Sequence, residues 1–319
     1  MTPLPTCRPR DIESDDARHR WLVHSLWAEQ AVGIVGGEPK CYKSFLALDI
    51  AVSVASGAPC LRRFPVETTG PVLLFAAEDA LPVVKQRLLG IAAAAGVDFQ
   101  TLNIHVITIP SLRLDLESDR DRLRKTVDAI RPVLLILDPF VRLHRVDENA
   151  AADVAPLLGA LRHLQRGFGT AVLLVHHARK SGASRPGQAL RGSSELHAWG
   201  DSNLYLRRTK DRLLLSVEQR AAPSIPALPL ELRQDGHALA LHVLPEAEAK
   251  ISPASAPKLS TTQRIEQALS SGDPMSRRQL RDACRIRNAT LTDALGQLLA
   301  AGRVVETSAG LRLAESLPL

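Results

Sequence analysis

The sequence predicts an α/β protein with a mostly parallel central sheet, followed by a small second domain. Five short runs are apolar at nearly every position, and longer segments with helical periodicity separate them. These runs are residues 31–37, 71–79, 104–110, 132–140 and 169–177. Such runs are typical of buried parallel strands joined by helical crossovers. The second observation is a change of composition after residue 245, where a linker is followed by a new periodic pattern of apolar residues.

The segments between the runs account for the first helices. Residues 45–57 repeat apolar side chains at three- and four-residue spacing and stop at Gly57. Residues 118–132 begin with a Ser-Asp cap and end before a proline, and residues 151–169 end in glycine. These are helix start and stop signals. We interpret residues 1–28 as a lead-in with a short helical piece around 21–27, and residues 29–245 as the main domain.

The last third of the chain predicts hairpins and then a small helical domain. Residues 201–208 and 211–220 are parted by a short polar segment and predict an antiparallel hairpin. A second hairpin is expected over 232–243, with its turn at Asp235-Gly236. The stretch 246–262 is rich in Ala, Ser and Pro and predicts a linker. Residues 263–319 give three helices and two short strands, which favours a winged-helix-like domain.

Composition limits the class of protein. The chain has 319 residues, 45% of them hydrophobic and 23% charged, which excludes a disordered or fibrous protein. The net charge of +6 permits a polyanionic partner without requiring one. Four scattered cysteines argue against a zinc site or a disulfide framework. No apolar run approaches the roughly 20 residues of a membrane span. We therefore expect a soluble cytoplasmic protein that does not act on membranes.

The strongest chemical signal lies where the strand 31–37 meets the first helix. A strand, a turn and a helix beginning with Lys43-Ser44 form a phosphate-binding loop, in which backbone N–H groups and the helix N-terminus hold phosphates. Gly37, Lys43 and Ser44 fit the spacing GxxxxGK[ST], whereas Tyr42 replaces the second glycine. The predicted nucleotide-binding residues are Gly37, Glu38, Pro39, Lys40, Cys41, Tyr42, Lys43, Ser44 and Phe45.

Acidic residues and a histidine end three other apolar runs. Asp138 ends the run 132–138, where a carboxylate would hold Mg²⁺ together with the Ser44 hydroxyl. Glu78 ends an earlier run and could deprotonate an attacking water. The run 169–177 ends in His176-His177, where a neutral imidazole could sense the γ-phosphate. Each of these residues could instead be an ordinary capping or edge residue.

Two segments are candidates for nucleic-acid contact. Residues 178–191 are glycine-rich and basic, which suits a loop that meets backbone phosphates but equally a plain solvated loop. In the C-terminal domain, Asn288 could begin a helix with Thr290, Thr292 and Asp293 facing outward, preceded by Arg285 and Arg287. Such a helix could read duplex DNA or serve as a protein-interaction module.

Together, these motifs resemble the AAA_25 group of RecA-like ATPases, which includes RepA-type plasmid replicative helicases and is related to the DnaB and RecA motor cores. The resemblance rests on the ordered stretches GGEPKCYKS, LLFAAEDA, LLILDPFVRLH, LLVHHARK and LRGSSELHAWGDS. It covers about residues 20–245. It implies a homo-oligomeric ring, expected to be a hexamer, that binds ATP and Mg²⁺ between subunits and acts on single-stranded DNA.

Carried over by position, the resemblance assigns roles to residues. Lys43 and Ser44 would bind phosphate and Mg²⁺, Asp138 would complete the Mg²⁺ site, Glu78 would be the catalytic base, and His177 the γ-phosphate sensor. A finger arginine from the neighbouring subunit is also implied. Arg220 fits best, although Glu218 stands where a lysine is expected, and Arg207 and Arg191 are the alternatives.

Three functions remain open on the sequence. The leading one is an ATP-hydrolysing motor on DNA, replicative-helicase-like, from a plasmid or other mobile element. The second is a DNA-binding regulatory switch that uses ATP to set its oligomeric state with little turnover. The third is an assembly scaffold that binds nucleotide but not nucleic acid. The basic loop favours the motor, whereas Tyr42 and the C-terminal domain favour the switch.

Overall fold

The computed structural model describes residues 4–11, 20–177, 194–209, 212–245, 261–270, 274–284, 286, 288–307 and 310–314. The chain forms two compact units, Met1–Pro245 and Glu246–Leu319. Within the described part of the chain, no helix combines the length and apolar character needed to cross a membrane.

A nine-stranded sheet forms the centre of the first unit. Its strands are β3 (Val32–Gly37), β4 (Val72–Ala76), β5 (Ile104–Val106), β6 (Leu134–Asp138), β7 (Ala171–His177), β8 (Ser202–Arg208), β9 (Leu213–Gln219), β10 (Leu228–Asp235) and β11 (Ala238–Val243). The order across the sheet is β11-β10-β9-β8-β3-β7-β6-β4-β5. Strands β3 to β8 are parallel to one another, and β9 to β11 add antiparallel pairs. The predicted parallel sheet and both predicted hairpins are confirmed, but the turn of the second is Gly236-His237 and not Asp235-Gly236, because Asp235 still pairs with Ala238.

Among the described residues of the first unit, five α-helices accompany this sheet. They are α1 (Lys43–Ser56), α2 (Leu81–Ala95), α3 (Glu117–Ile130), α4 (Ala151–Phe168) and α5 (Ser194–Trp199). The glycines expected to stop α1 and α4 do so, since Gly57 and Gly169 take left-handed conformations and return their N–H groups to helix carbonyls. The predicted Ser-Asp cap of α3 is wrong. The N-cap is Leu116, two residues before Ser118, and Asp119 instead accepts the backbone N–H of Arg113 at 2.9 Å.

The helical piece expected around residues 21–27 is wrong. Residues Trp21–Val23 (β1) and Trp27–Ala28 (β2) form an antiparallel pair with a turn between them. The backbone of this hairpin also bonds to the segment 65–67, where the His24 N–H donates to the Pro65 carbonyl at 2.8 Å. Leu26 and Trp27 are fully buried in the core on one face of the sheet. Residues 21–28 therefore belong to the packed core of the first unit.

The part of the second unit that the structure describes has three helices and a two-stranded hairpin. These elements are α6 (Thr261–Leu269), α7 (Arg277–Cys284), α8 (Asn288–Ala300), β12 (Val304–Thr307) and β13 (Gly310–Leu313). The residues of α8 expected to face inward, Leu291, Ala294, Leu295 and Leu298, are buried. Thr290, Thr292 and Asp293 are exposed, as predicted. The predicted linker extends too far, since residues 261–262 already belong to α6. Residues 246–260, Arg285 and Arg287 lie outside the described residues.

Candidate nucleotide-binding site

A cavity of about 330 Å³ lies at the carboxyl edge of the parallel strands. It is lined from the ends of β3, β7, β6 and β4, which lie side by side in this order in the sheet. The lining residues are Lys40, Tyr42, Lys43, Ser44, Phe45, Ala76, Glu78, Asp79, Arg87, Asp138, Val175 and His177. The structure thus brings together most of the residues that the sequence proposed from four separate segments. Gly37, Glu38, Pro39 and Cys41 belong to the same loop but do not line the cavity.

The backbone of the loop between β3 and α1 explains two of its residues. Tyr42 takes a left-handed conformation, with φ 64° and ψ 28°, immediately before the first turn of α1. This is the conformation that glycine adopts without cost, and another residue accepts it at about 1–2 kcal/mol. Gly37 is required for a different reason, because a Cβ there would lie 2.3 Å from the Leu206 carbonyl oxygen.

Lys43 is held inside the loop. Its ammonium donates to the Glu38 carbonyl at 2.8 Å, and the residue is only 5% exposed. Burial lowers the pKa of Lys43, and this effect outweighs the attraction of Cys41, Asp138 and Glu78. An anion beside the ammonium would offset the cost of burying its charge, so the loop is arranged to bind a phosphate.

Asp138 and Ser44 form the second element of the site. Asp138 is the last residue of β6 and is 9% exposed, and the Ser44 hydroxyl donates to it. Burial raises the pKa of Asp138 to about 6, and the negative charges of Asp79 and Glu78 add to the effect, while Ser44 and Lys43 oppose it. A nearby cation would stabilise the charged form of this buried carboxylate.

These two side chains fit a magnesium ion that arrives with a nucleotide. Carboxylate and hydroxyl oxygens are ligands that Mg²⁺ accepts, and it usually combines one or two protein oxygens with substrate phosphates and waters. Among the residues that the structure describes, no group of three or more His, Cys, Asp or Glu side chains could hold a metal ion alone. The donor set therefore suits a shared nucleotide–metal site rather than a protein cage.

Glu78 stands just beyond the end of β4 and is more exposed than Asp138. Its Oε1 accepts from the Nε of Arg142 at 2.8 Å, and its side chain is 44% exposed. Its neighbour Asp79 also lines the cavity and pairs with Arg87 of α2. The sequence motifs do not identify Arg142 or Arg87 as site residues. Arg142 lies in the stretch LLILDPFVRLH, where only Asp138 has a predicted role, and Arg87 comes from α2, which carries no motif.

The structure distinguishes the two histidines at the end of β7. His177 lines the cavity, whereas His176 is buried on the other side of the strand, where its ring lies 6.1 Å from that of Phe140. Burial lowers the pKa of His177, and the charge of Lys43 lowers it further. The imidazole next to the cavity is therefore neutral at pH 7 and able to donate or accept a hydrogen bond.

Arg220 does not line the cavity of its own subunit. Its guanidinium lies 3.3 Å from Asp201 and donates to the Ala198 carbonyl, which ties it to the end of α5. Arg207, at the end of β8, is exposed. Arg191 and the predicted DNA-contacting loop 178–191 lie outside the described residues.

The fold and the cavity define a phosphate-loop nucleotide-binding domain. A family model described as an AAA domain, AAA_25, matches residues 2–183, which is more than half of the chain. The chain belongs to the AAA_25 family. It is accordingly an ATP-binding protein of the RecA-like ATPase class, as the sequence motifs indicated.

Three solved structures have a similar fold. A structure described as an ATPase domain has a TM-score of 0.51 and 14% identity, over 66% of this chain and 84% of that one. A DnaB-like replicative helicase, described in its interactions with primase, also has a TM-score of 0.51 and 14% identity, over 66% of this chain and 57% of that one. The RadB recombinase has a TM-score of 0.50 and 15% identity, over 68% of this chain and 92% of that one. At such identities the likeness establishes the shared fold.

Proposed function

We propose that this protein hydrolyses ATP in a Mg²⁺-dependent reaction and couples the hydrolysis to DNA, as a replicative-helicase-like motor of a plasmid or other mobile element. One observation carries the proposal. Lys43, Ser44, Glu78, Asp138 and His177 come from four segments of the chain and line one cavity at the carboxyl edge of a parallel sheet. This edge is where such sheets bind their ligands.

Each side chain has a distinct role in the reaction. Lys43 and the N–H groups of its loop would bind the β- and γ-phosphates, and Ser44 and Asp138 would hold Mg²⁺, which would neutralise charge on the phosphate oxygens. Glu78 accepts a proton as a water oxygen bonds to the γ-phosphorus. The bond from that phosphorus to the bridging oxygen breaks, and ADP and phosphate leave. Glu78 then returns its proton to solvent.

His177 would connect this chemistry to the chain that follows it. Its neutral imidazole can hydrogen-bond the γ-phosphate and lose that bond after hydrolysis. The basic segment 178–191 begins at the next residue, and we propose that it contacts single-stranded DNA. An event at the phosphate would therefore be only one residue away from the DNA-contacting segment.

Assembly would complete the site. We propose a homo-oligomer, with a hexamer expected, in which a finger arginine of one subunit reaches the nucleotide of the next. Arg220 is bonded to Asp201 and to α5 of its own chain, so it would have to give up those bonds to act in a neighbour. Arg207 is exposed and no such rearrangement is needed, which favours it for this role.

The second unit, with its three described helices and hairpin, is proposed to be a winged-helix-like domain that begins at α6 and spans residues 261–319. The first exposed positions of α8, Asn288, Thr290, Thr292 and Asp293, are polar, and Arg277 and Arg278 are exposed on α7. Polar and basic side chains on exposed helix surfaces suit contact with duplex DNA.

A regulatory switch is the second candidate. Tyr42 places a non-glycine residue in a left-handed conformation within the phosphate loop, and Arg220 is bonded within its own chain. Both features favour a protein that binds ATP tightly and turns it over slowly. A scaffold that binds nucleotide without nucleic acid differs from both in showing no response to DNA.

Steady-state ATP hydrolysis with and without single-stranded DNA tests these functions. Wild type is compared with Lys43→Ala, with Glu78→Gln, and with Lys125→Ala, which changes an exposed lysine of α3 as a control. The motor requires turnover that DNA stimulates, that Lys43→Ala and Glu78→Gln abolish, and that Lys125→Ala leaves intact. Glu78→Gln should still bind ATP. Slow turnover indifferent to DNA, together with ATP-dependent binding of duplex DNA, would favour the switch instead.

A further inference from the structure

Two aromatic side chains flank the phosphate-binding pair Lys43-Ser44. Only 11 of the 319 residues are Phe, Trp or Tyr, yet Tyr42 precedes this pair and Phe45 follows it. Their ring centroids are 6.1 Å apart, with an edge-to-face angle of 86°. Phosphate binding uses backbone N–H groups, the ammonium and the hydroxyl, so it gives these rings no task.

Each ring is covered by an arginine from a different part of the fold. The Arg208 guanidinium lies 5.0 Å from the Tyr42 ring centroid, and the Arg87 guanidinium lies 5.3 Å from that of Phe45. Arg208 ends β8, whereas Arg87 belongs to α2, which follows β4, and these two strands lie on opposite sides of β3. We call Tyr42, Phe45, Arg87 and Arg208 the ring–guanidinium cluster.

The cluster borders the space beside the phosphate site. Tyr42, Phe45 and Arg87 line the same cavity as Lys43 and Asp138. Tyr42 and Arg208 also line a second cavity of about 330 Å³, which lies against β9 and β10. A nucleotide with its triphosphate at Lys43 thus has room for its nucleoside next to Tyr42. Both rings are only half-buried, unlike the fully buried Phe75 and Phe140 of the core.

We propose that the ring–guanidinium cluster is the subsite for the nucleobase of the bound nucleoside triphosphate; this inference rests on the proposed function. Aromatic rings and planar guanidinium groups both stack on nucleobases, and a purine offers the larger face. The subsite also gives a reason for the departure from the phosphate-loop pattern. Tyr42 accepts a left-handed conformation and in return places a ring where the base of the ligand lies.

Comparison of two ligands tests the subsite. ATP and inorganic tripolyphosphate share the phosphate chain, but only ATP carries a base. We would titrate both, with Mg²⁺, into the full chain by calorimetry. The variants are Tyr42→Leu and Phe45→Leu, with Tyr42→Phe as the conservative change. Phe99→Leu serves as a control, because Phe99 is also half-buried but lies outside this cavity. Tryptophan fluorescence checks that each variant is folded.

The subsite predicts a selective loss. Tyr42→Leu and Phe45→Leu should each weaken ATP binding by about 5- to 100-fold and leave tripolyphosphate binding within about 2-fold. Tyr42→Phe and Phe99→Leu should bind ATP like wild type. Equal weakening of both ligands would mean that the rings only support the loop, and it would overturn the subsite, as would no weakening of ATP. A wild type that binds neither ligand would instead refute the proposed function, and the subsite with it.

Discussion

Asp138 should reduce the stability of the protein when neither nucleotide nor metal is bound. The perturbation is Asp138→Asn, which removes the charge but keeps an oxygen to accept the Ser44 hydroxyl. In wild type, burial and two neighbouring carboxylates raise the pKa of Asp138 from 3.8 to about 6. The folded state therefore holds its proton more tightly than the unfolded state does.

The sign and size of the effect follow from this difference. The folded protein binds more protons than the unfolded chain between about pH 4 and pH 6, so the Asp138 contribution destabilises increasingly as pH rises through this window and is constant above it. Each pKa unit corresponds to about 1.4 kcal/mol. Asp138→Asn should therefore raise the free energy of unfolding by up to about 3 kcal/mol at pH 7.5, and by about half of that at pH 5.

Urea denaturation followed by tryptophan fluorescence measures this free energy in the first unit, because Trp21, Trp27 and Trp199 all precede residue 246. The measurements are made with a chelator and without nucleotide. Asp128→Asn is the control, since Asp128 is 56% exposed and pairs with Arg131 on the surface. That variant should change stability by less than about 1 kcal/mol at either pH.

Bound ligand should reverse the order of stability of wild type and Asp138→Asn. Mg²⁺ with ATP should stabilise wild type by mass action and stabilise Asp138→Asn much less, because the variant lacks the metal-binding charge. The reasoning is refuted if the variant is no more stable than wild type at pH 7.5 without ligand. A gain that stays the same at pH 5 would also refute it, since the effect would then not come from the charge.

Three further changes have defined outcomes. Asp49→Asn should cost about 3–5 kcal/mol in urea denaturation, because it leaves Arg62 beside a buried position without its charged partner. Gly37→Ala should abolish ATP binding measured by calorimetry, because its Cβ would meet the Leu206 carbonyl; unchanged affinity would contradict this geometry. Arg207→Ala should bind ATP normally but lose turnover, and mixing it with Lys43→Ala subunits should restore part of the activity. No restoration would argue against a finger acting between subunits.

Hydrophobic periodicity does not define every element of the fold. The sequence pattern implies a helical crossover between the runs 71–79 and 104–110 but does not set the bounds of α2, because Leu81 and Val83 on its first turn are 45% and 42% exposed and interrupt its apolar stripe. The sequence of the β1–β2 hairpin suggests a helix. Its strands have only three and two residues, so they show no clear alternation, and part of its backbone hydrogen bonding is to a segment about 40 residues away. The buried strands and glycine stops are predictable because each depends on residues close together in sequence.

The residues of the candidate site likewise fall into those that the sequence predicts and those that it does not. Lys43, Ser44, Glu78, Asp138 and His177 follow from motifs, since each sits at or near the end of an apolar run and parallel strands bring such ends together. Their partners do not follow from motifs. The pairing of Arg220 with Asp201 depends on the register of β8 against β9. In the ring–guanidinium cluster, Arg208 comes from β8 and Arg87 from the helix that follows β4, and these two strands lie on opposite sides of β3. Contacts of this kind are set by tertiary packing alone.

The two outer strands of the sheet bear on how copies of this chain can associate. At one side, β5 has only three residues, so an added strand would find a very short template. At the other side, α2 crosses β11 so closely that a Cβ on Gly90 would lie 3.1 Å from the Leu239 backbone nitrogen. The short β5 limits strand addition at its edge, and α2 lies against the strand at the other edge. Subunits that meet in an ordered assembly would then recognise one another through side chains rather than by extending a shared sheet.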